Sequence, residues 1–239
     1  MPSILTPSIV NGCTKLVRGI FSRACVLCGA RAPDGLLCAP CCADLPRHTA
    51  AACPVCALPT AGGAQCGRCL RRAPAFGRTL AAYRYAFPVD ALIHAYKYGG
   101  NLALLDLLAE PLAALAVTQR LPDLLVPMPL HPRRLKERGF NQAREIAAAL
   151  SRRLRVPLAA QACRRVRDTP PQAALKLKER AANLRGAFAC DADLRGKRIA
   201  LIDDVMTSGA SLDALAQAVR SRGAEEADAW VVARTLPHG

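Results

Sequence analysis

Aromatic side chains are scarce. Phe, Trp and Tyr make up 4% of the 239 residues, with a single Trp. That argues against an all-β sandwich and against a surface that holds nucleic acid by stacking bases on rings. Phe76, Tyr83, Tyr85, Tyr96, Tyr98, Phe140 and Trp230 are scattered and read as core positions. Long apolar runs are also missing. The most apolar stretch, Leu102 to Val117, is interrupted by Asp106, Glu110 and Pro111 and is too short to span a bilayer. The opening MPSILTPSIVNGC is broken by Pro7, Asn11 and Gly12 and does not read as a secretory leader. A cytoplasmic protein without a membrane span is expected. Acids are few, 18 against 33 Lys and Arg, for a formal charge of +15.

What is present points to a packed α/β protein. Hydrophobic residues are 52% of the chain, mostly Ala, Leu and Val, which suits helices laid on a parallel sheet. The positive charge is concentrated. Residues 131–186 hold 15 basic and 4 acidic side chains, whereas residues 187–239 hold 6 and 8. Such a block predicts an anionic partner, either small-molecule phosphates or a nucleic-acid backbone. Patterning predicts a strand at Thr79 to Phe87, a helix from Pro88 to about Tyr98, and a second helix at Leu102 to Ala116 with Pro111 a possible kink. A short buried strand follows at Leu124 to Pro127, then a helix from Gly139 to Leu154. Arg165 to Gln172 reads as a loop and Lys176 to Arg185 as helical. A strand at Lys197 to Ile202, a helix at Ser211 to Arg222 and a strand at Ala227 to Ala233 complete the alternation, which implies a mostly parallel sheet.

Ten of the 12 cysteines lie before residue 70. Cys25-x2-Cys28 and Cys38-x2-Cys41 are separated by nine residues, and Cys53-x2-Cys56 and Cys66-x2-Cys69 by the same nine. Each CxxC turn aims two sulfurs at one centre, and two turns complete a tetrahedral thiolate shell. Two structural zinc ions are expected, because four thiolates leave no open position for chemistry. Cys42 is an alternative to Cys41, and pairing crossed between the copies is an alternative to two local sites. Cys13, Cys163 and Cys190 read as small buried apolar residues. The domains expected are an N-terminal segment at 1–24, a double zinc ribbon at 25–72 and an α/β domain at 73–239.

The most informative segment is RIALIDDVMTSGASL, Arg198 to Leu212. An apolar strand delivers Asp203 and Asp204 to its carboxyl end, where open α/β sheets bind ligands. Thr207, Ser208, Gly209, Ala210 and Ser211 then offer hydroxyls and backbone N–H groups at a helix start, a phosphate cradle. The acids fit if the ligand carries both a phosphate and a diol, and they can also contact a magnesium ion. Read as an ordinary helix start, Ser208 or Ser211 would be its cap.

This segment resembles the signature of type I phosphoribosyltransferases. Together with VPMPLHPRRLKERGFNQAREIA (Val126 to Ala147), RDTPPQAALKLKERAANLRGAF (Arg167 to Phe188), HAYKYGG (His94 to Gly100) and the cysteine-rich front, it resembles the ComF family. The resemblance implies a type I phosphoribosyltransferase-like fold preceded by a zinc-ribbon module. It implies phosphoribosyl pyrophosphate, with Mg2+, as ligand. Asp203 and Asp204 would act at the ribose, and Thr207, Ser208, Gly209, Ala210 and Ser211 would hold the phosphate. Arg133, Arg134 and Lys176 would serve the pyrophosphate, with Arg167 to Lys178 as a hood. The family is associated with natural transformation, so single-stranded DNA and competence or DNA-processing proteins are implied partners. The alternative is an active phosphoribosyltransferase, a pentosyl-type glycosyltransferase with an unidentified acceptor. One departure bears on that chemistry. Purine transferases of the hypoxanthine type carry an acid two residues after the acidic pair, where this chain has Met206.

Overall fold

Four strands form one parallel sheet in the computed structural model, which describes residues 24–33, 35–98, 102–168, 184 and 186–237. In chain order the elements are α1 (Ala39–Ala43), α2 (Gly67–Arg71), β1 (Thr79–Arg84), α3 (Val89–Tyr98), α4 (Leu104–Ala116), β2 (Leu124–Pro127), α5 (Pro132–Arg138), α6 (Gln142–Leu154), β3 (Cys163–Arg165), β4 (Phe188–Cys190), β5 (Arg198–Met206), α7 (Ala210–Arg220) and β6 (Glu226–Arg234). The sheet order is β1-β6-β5-β2. The central strands β5 and β6 are apolar at consecutive positions because both of their faces are covered. Ile199, Leu201, Ala227, Ala229 and Val231 share a core with Leu212, Leu215, Ala216 and Val219 of α7. The intervening Ala200 and Ile202 are just as buried and face the other side, where α4 and α6 pack.

The chain divides into two compact units, Met1–Leu45 and Pro46–Gly239. In the first, Cys25, Ala32 and Cys38 form a small core of their own. In the second, Cys53, Cys56, Ala57, Cys69 and Phe76 belong to the same buried cluster as the sheet and α7. Packing therefore groups the second cysteine cluster with the sheet, whereas the sequence reading placed both clusters in one double zinc ribbon at 25–72.

Three local features differ from the sequence expectation. Arg133 and Arg134, placed by the resemblance in a pyrophosphate-serving segment after β2, lie on a helix, because Pro132 opens α5, a first-turn position where its missing N–H costs nothing. Gly139, expected inside a helix, ends α5 in the left-handed region at φ 78°, and Asn141 caps a separate α6. Short β3 and β4 pair antiparallel, with Cys163 opposite Cys190. Each has three residues, too few for a periodic signal. The helix expected at Lys176 to Arg185, apart from Leu184 in a turn, most of the hood and Cys13 lie outside the described residues. Among the described residues, no helix is long and apolar enough to cross a membrane.

Candidate functional site

Strand lengths create the site. The β2–β5 ladder ends at Pro127 opposite Ile202, whereas the β5–β6 ladder continues to Met206 opposite Arg234. Asp203 and Asp204 thus sit on a stretch of β5 that has outrun its β2 neighbour, at the carboxyl edge of the sheet. Asp204 is buried and its Oδ2 lies 2.6 Å from Lys97 Nζ, on the last turn of α3. Losing one partner of a pair this buried costs roughly 3–5 kcal/mol, so the contact holds α3 to the strand end. Asp203 is different. Burial, and then the charge of Asp204, push its pKa up to about 8, against the opposing pull of Lys97. Burial alone would lower the Lys97 pKa, but the charge and hydrogen bond of Asp204 outweigh it and the net direction is up. One acid is an ion-pair partner while its neighbour retains a proton near neutrality.

The chain then turns into α7. Gly209 is its N-cap at φ 83°, ψ 0°, a conformation that disfavours any side chain. A Cβ there would also meet Met206 Cε at 2.7 Å and Phe76 Cζ at 3.6 Å. Neither serine caps the helix, contrary to the ordinary-helix reading. Gly209 caps without a side-chain bond, and Ser208 Oγ accepts from Ala210 N–H at 3.3 Å. The first N–H groups of a helix have no intrahelical partner and carry the positive end of its dipole. Asp203, Thr207, Gly209, Ala210 and Ser211 line one small cup at this point. It brings carboxyl, hydroxyl and backbone N–H together, the donor set for a ligand with both hydroxyls and an anionic group.

Basic residues approach from α5 and β3. Arg133 is exposed and engaged with Glu137 at 3.1 Å and Asp168 at 3.4 Å. His131 Nδ1 accepts from Arg133 N–H as the α5 cap and lies 3.7 Å from Asp168. Arg165 is half-buried against Phe188. Burial lowers its pKa, Arg134 adds to that, and Asp168 and Asp203 oppose it. Arg134 and Arg165 therefore act on one electrostatic neighbourhood that includes Asp203. Lys176 lies outside the described residues. Met206, which takes the place of an acid, is 1% exposed and faces the core beneath Gly209.

Beneath the loop lies Arg234, 1% exposed at the end of β6. Its Nε donates to Cys56 O at 2.7 Å, and its Nη1 donates to Met206 O at 2.9 Å and to the carbonyls of Thr207 and Thr235. Burial lowers its pKa.

The cysteines gather as two local quartets, Cys25, Cys28, Cys38 and Cys41, and Cys53, Cys56, Cys66 and Cys69. Within each, all four sulfurs lie within 4.8 Å of one another. Cys28 to Cys38 and Cys56 to Cys66 are each 3.6 Å, near the roughly 3.8 Å edge of a tetrahedron with Zn–S bonds of about 2.3 Å. The donor sets fit structural zinc. Cys42 is exposed and outside its quartet, so Cys41 completes the group of four and the grouping is local.

Sequence reasoning did not single out Lys97, Arg165, Arg234 or the Cys163–Cys190 pairing. Lys97 lay inside HAYKYGG without a role. Arg234 ends an otherwise apolar strand run, AWVVAR, and a charge in such a run was the one available signal.

A family described as double zinc ribbon domain matches residues 16–70, and one described as phosphoribosyl transferase domain matches residues 141–236. The DNA utilization protein YhgH of Escherichia coli K12 is 35% identical over 202 residues, covering 82% of this chain and 89% of that protein. Competence protein F of Haemophilus influenzae is 33% identical over 179 residues, covering 71% and 78%. Competence protein ComFC of Bacillus subtilis is 26% identical over 227 residues, covering 86% and 92%.

Proposed function

The chain belongs to the ComF family, and from that premise we propose that it binds phosphoribosyl pyrophosphate with Mg2+ at the loop from Asp203 to Ser211 and serves the handling of single-stranded DNA in the cytoplasm during natural transformation. The observation that carries the ligand is the junction of β5 and α7. Asp203 and the start of α7 meet there in one cup, with Asp204 beside it on the Lys97 side of the strand. Asp203 and Asp204 would accept the ribose hydroxyls, and Asp203 would release its proton as it does so. Thr207, Ser208, Gly209, Ala210 and Ser211 would hold the 5′-phosphate. Arg134, with Arg133 and Lys176, would face the pyrophosphate. Magnesium would neutralise the pyrophosphate and ease its departure.

The DNA part of the reading rests on the basic block at 131–186 and on the names of two relatives, a DNA utilization protein and a competence protein. Turnover with an unidentified acceptor is the second reading, and the Lys97–Asp204 pair favours it by holding the ribose-binding acid in place. Met206, turned into the core, offers no group to activate a purine of the hypoxanthine type.

Calorimetric titration of the zinc-loaded protein with phosphoribosyl pyrophosphate and magnesium tests the proposal. Micromolar binding is expected, and Asp203→Ala with Asp204→Ala should abolish it without unfolding the chain. Absence of heat at millimolar ligand, or affinity that survives the double change, would overturn the ligand assignment.

A further inference from the structure

We propose that Arg234 is a positioning residue that makes the second zinc cluster a working part of the phosphate loop, so that metal occupancy and anion binding there are coupled. Its ligand arm rests on the reading of the 203–211 loop given above.

The argument starts from a buried charge. Arg234 is 1% exposed, and a guanidinium at that depth needs its donors satisfied and its charge balanced. Backbone carbonyls supply the acceptors, from Cys56 on one side and from Met206 and Thr207 on the other. Cys56 is a member of the second quartet. A zinc ion with four thiolates keeps two surplus negative charges, which a guanidinium bonded to the Cys56 carbonyl would offset. The arginine is thus counter-ion to the metal centre and clamp on the loop. The knuckle before Cys56 has a second tie, because Thr79 donates its N–H to Pro54 O at 3.0 Å and its hydroxyl to Val55 O at 2.6 Å.

The clamp also determines how the loop presents itself. In a trans peptide the N–H points opposite to the C=O. Holding the Met206 and Thr207 carbonyls toward Arg234 therefore turns the N–H groups of Thr207 and Ser208 away from it, to the side where a phosphate would approach. If the metal leaves, the Cys56 carbonyl loses its place and Arg234 loses part of its counter-charge. The planar fork, which needs fixed acceptors, can then no longer hold the loop. By reciprocity, an anion that stabilises the loop stabilises the metal.

The test uses full-length protein with Cys28→Ser and Cys41→Ser, which leaves one zinc, in the second quartet. Hydrogen exchange of the 203–212 amides is followed, with α4 and α6 as internal controls. Stripping the zinc with a chelator should speed exchange in 203–212 roughly tenfold while the two helices stay protected. Arg234→Lys, which keeps the charge and loses the fork, should show the same fast loop with zinc still bound. Phosphoribosyl pyrophosphate with magnesium should slow zinc release to the chelator severalfold, and Arg234→Lys should remove that protection. An unchanged loop in the stripped protein, or in zinc-bound Arg234→Lys, would overturn the coupling. Loss of the ligand effect alone, with the exchange results as expected, would count against phosphoribosyl pyrophosphate as the ligand and leave the Arg234 clamp standing.

Discussion

Asp203 and Asp204 are chain neighbours in unlike surroundings. Side chains alternate along a strand, so Asp204 turns to Lys97 while its neighbour takes the other side. Asp203 has a folded pKa near 8, above its unfolded value of about 3.9. A carboxyl shifted upward binds its proton more tightly in the fold. It therefore subtracts stability as pH rises from about 4 to about 8, and nothing more above that. Ligand binding reverses the preference, because a diol or magnesium favours the carboxylate. Affinity for phosphoribosyl pyrophosphate with magnesium should rise with pH from about 6.5 and level off above about 8, by at most about tenfold per unit. Calorimetry across that range checks it, and Asp203→Asn should give a weak, flat profile.

At the scale of elements, the strand-to-helix turn is governed by Gly209. Its φ of 83° is the obstacle to substitution more than the 2.7 Å contact, since Met206 Cε is the far end of a flexible side chain and can move. Gly209→Ala should lower stability by about 1–2 kcal/mol from backbone strain, measured by denaturant titration. It should also weaken ligand binding, because the strained turn no longer aims the α7 amides. A loss of binding without a loss of stability would mean that the turn matters only for access. The antiparallel β3–β4 pair is a second such element. It brings Cys163 and Cys190, each buried, to opposing positions, where sequence alone had two unrelated small residues.

For the whole molecule the governing quantity is charge. The chain carries +15, and α6 ends in Arg152 and Arg153 with Arg155 just after. Arg153 is tied to Asp106 at 2.7 Å, so Arg152 and Arg155 are the better probes of a nucleic-acid surface. Arg152→Glu with Arg155→Glu should weaken single-stranded DNA binding and lower the salt slope by roughly 1.4, two contacts at about 0.7 each. An unchanged slope in a filter-binding titration over salt would place the DNA surface elsewhere.

The sequence by itself determined what is local. The four CxxC turns follow from spacing, because each is built within one loop, whereas the local grouping and Cys41 over Cys42 needed the structure. Strand β2 matches at Leu124 to Pro127, and the β5–α7 loop is legible because acids, Gly and hydroxyls are consecutive there. Helix α5 was not legible, since it buries no residue and so has no apolar period to read. Tyr98, read as core, is 62% exposed beneath Arg138 for the same reason in reverse: apolar character does not fix depth. Only the tertiary structure decided which distant groups meet. Lys97 reaches Asp204 because α3 ends beside the overhang of β5, and Arg234 reaches Cys56 across 178 positions because β6 ends beneath the second quartet. Composition and period encode burial and local turns, whereas the partner of a buried charge is set by where the strands end, a length difference between neighbours that no single segment contains.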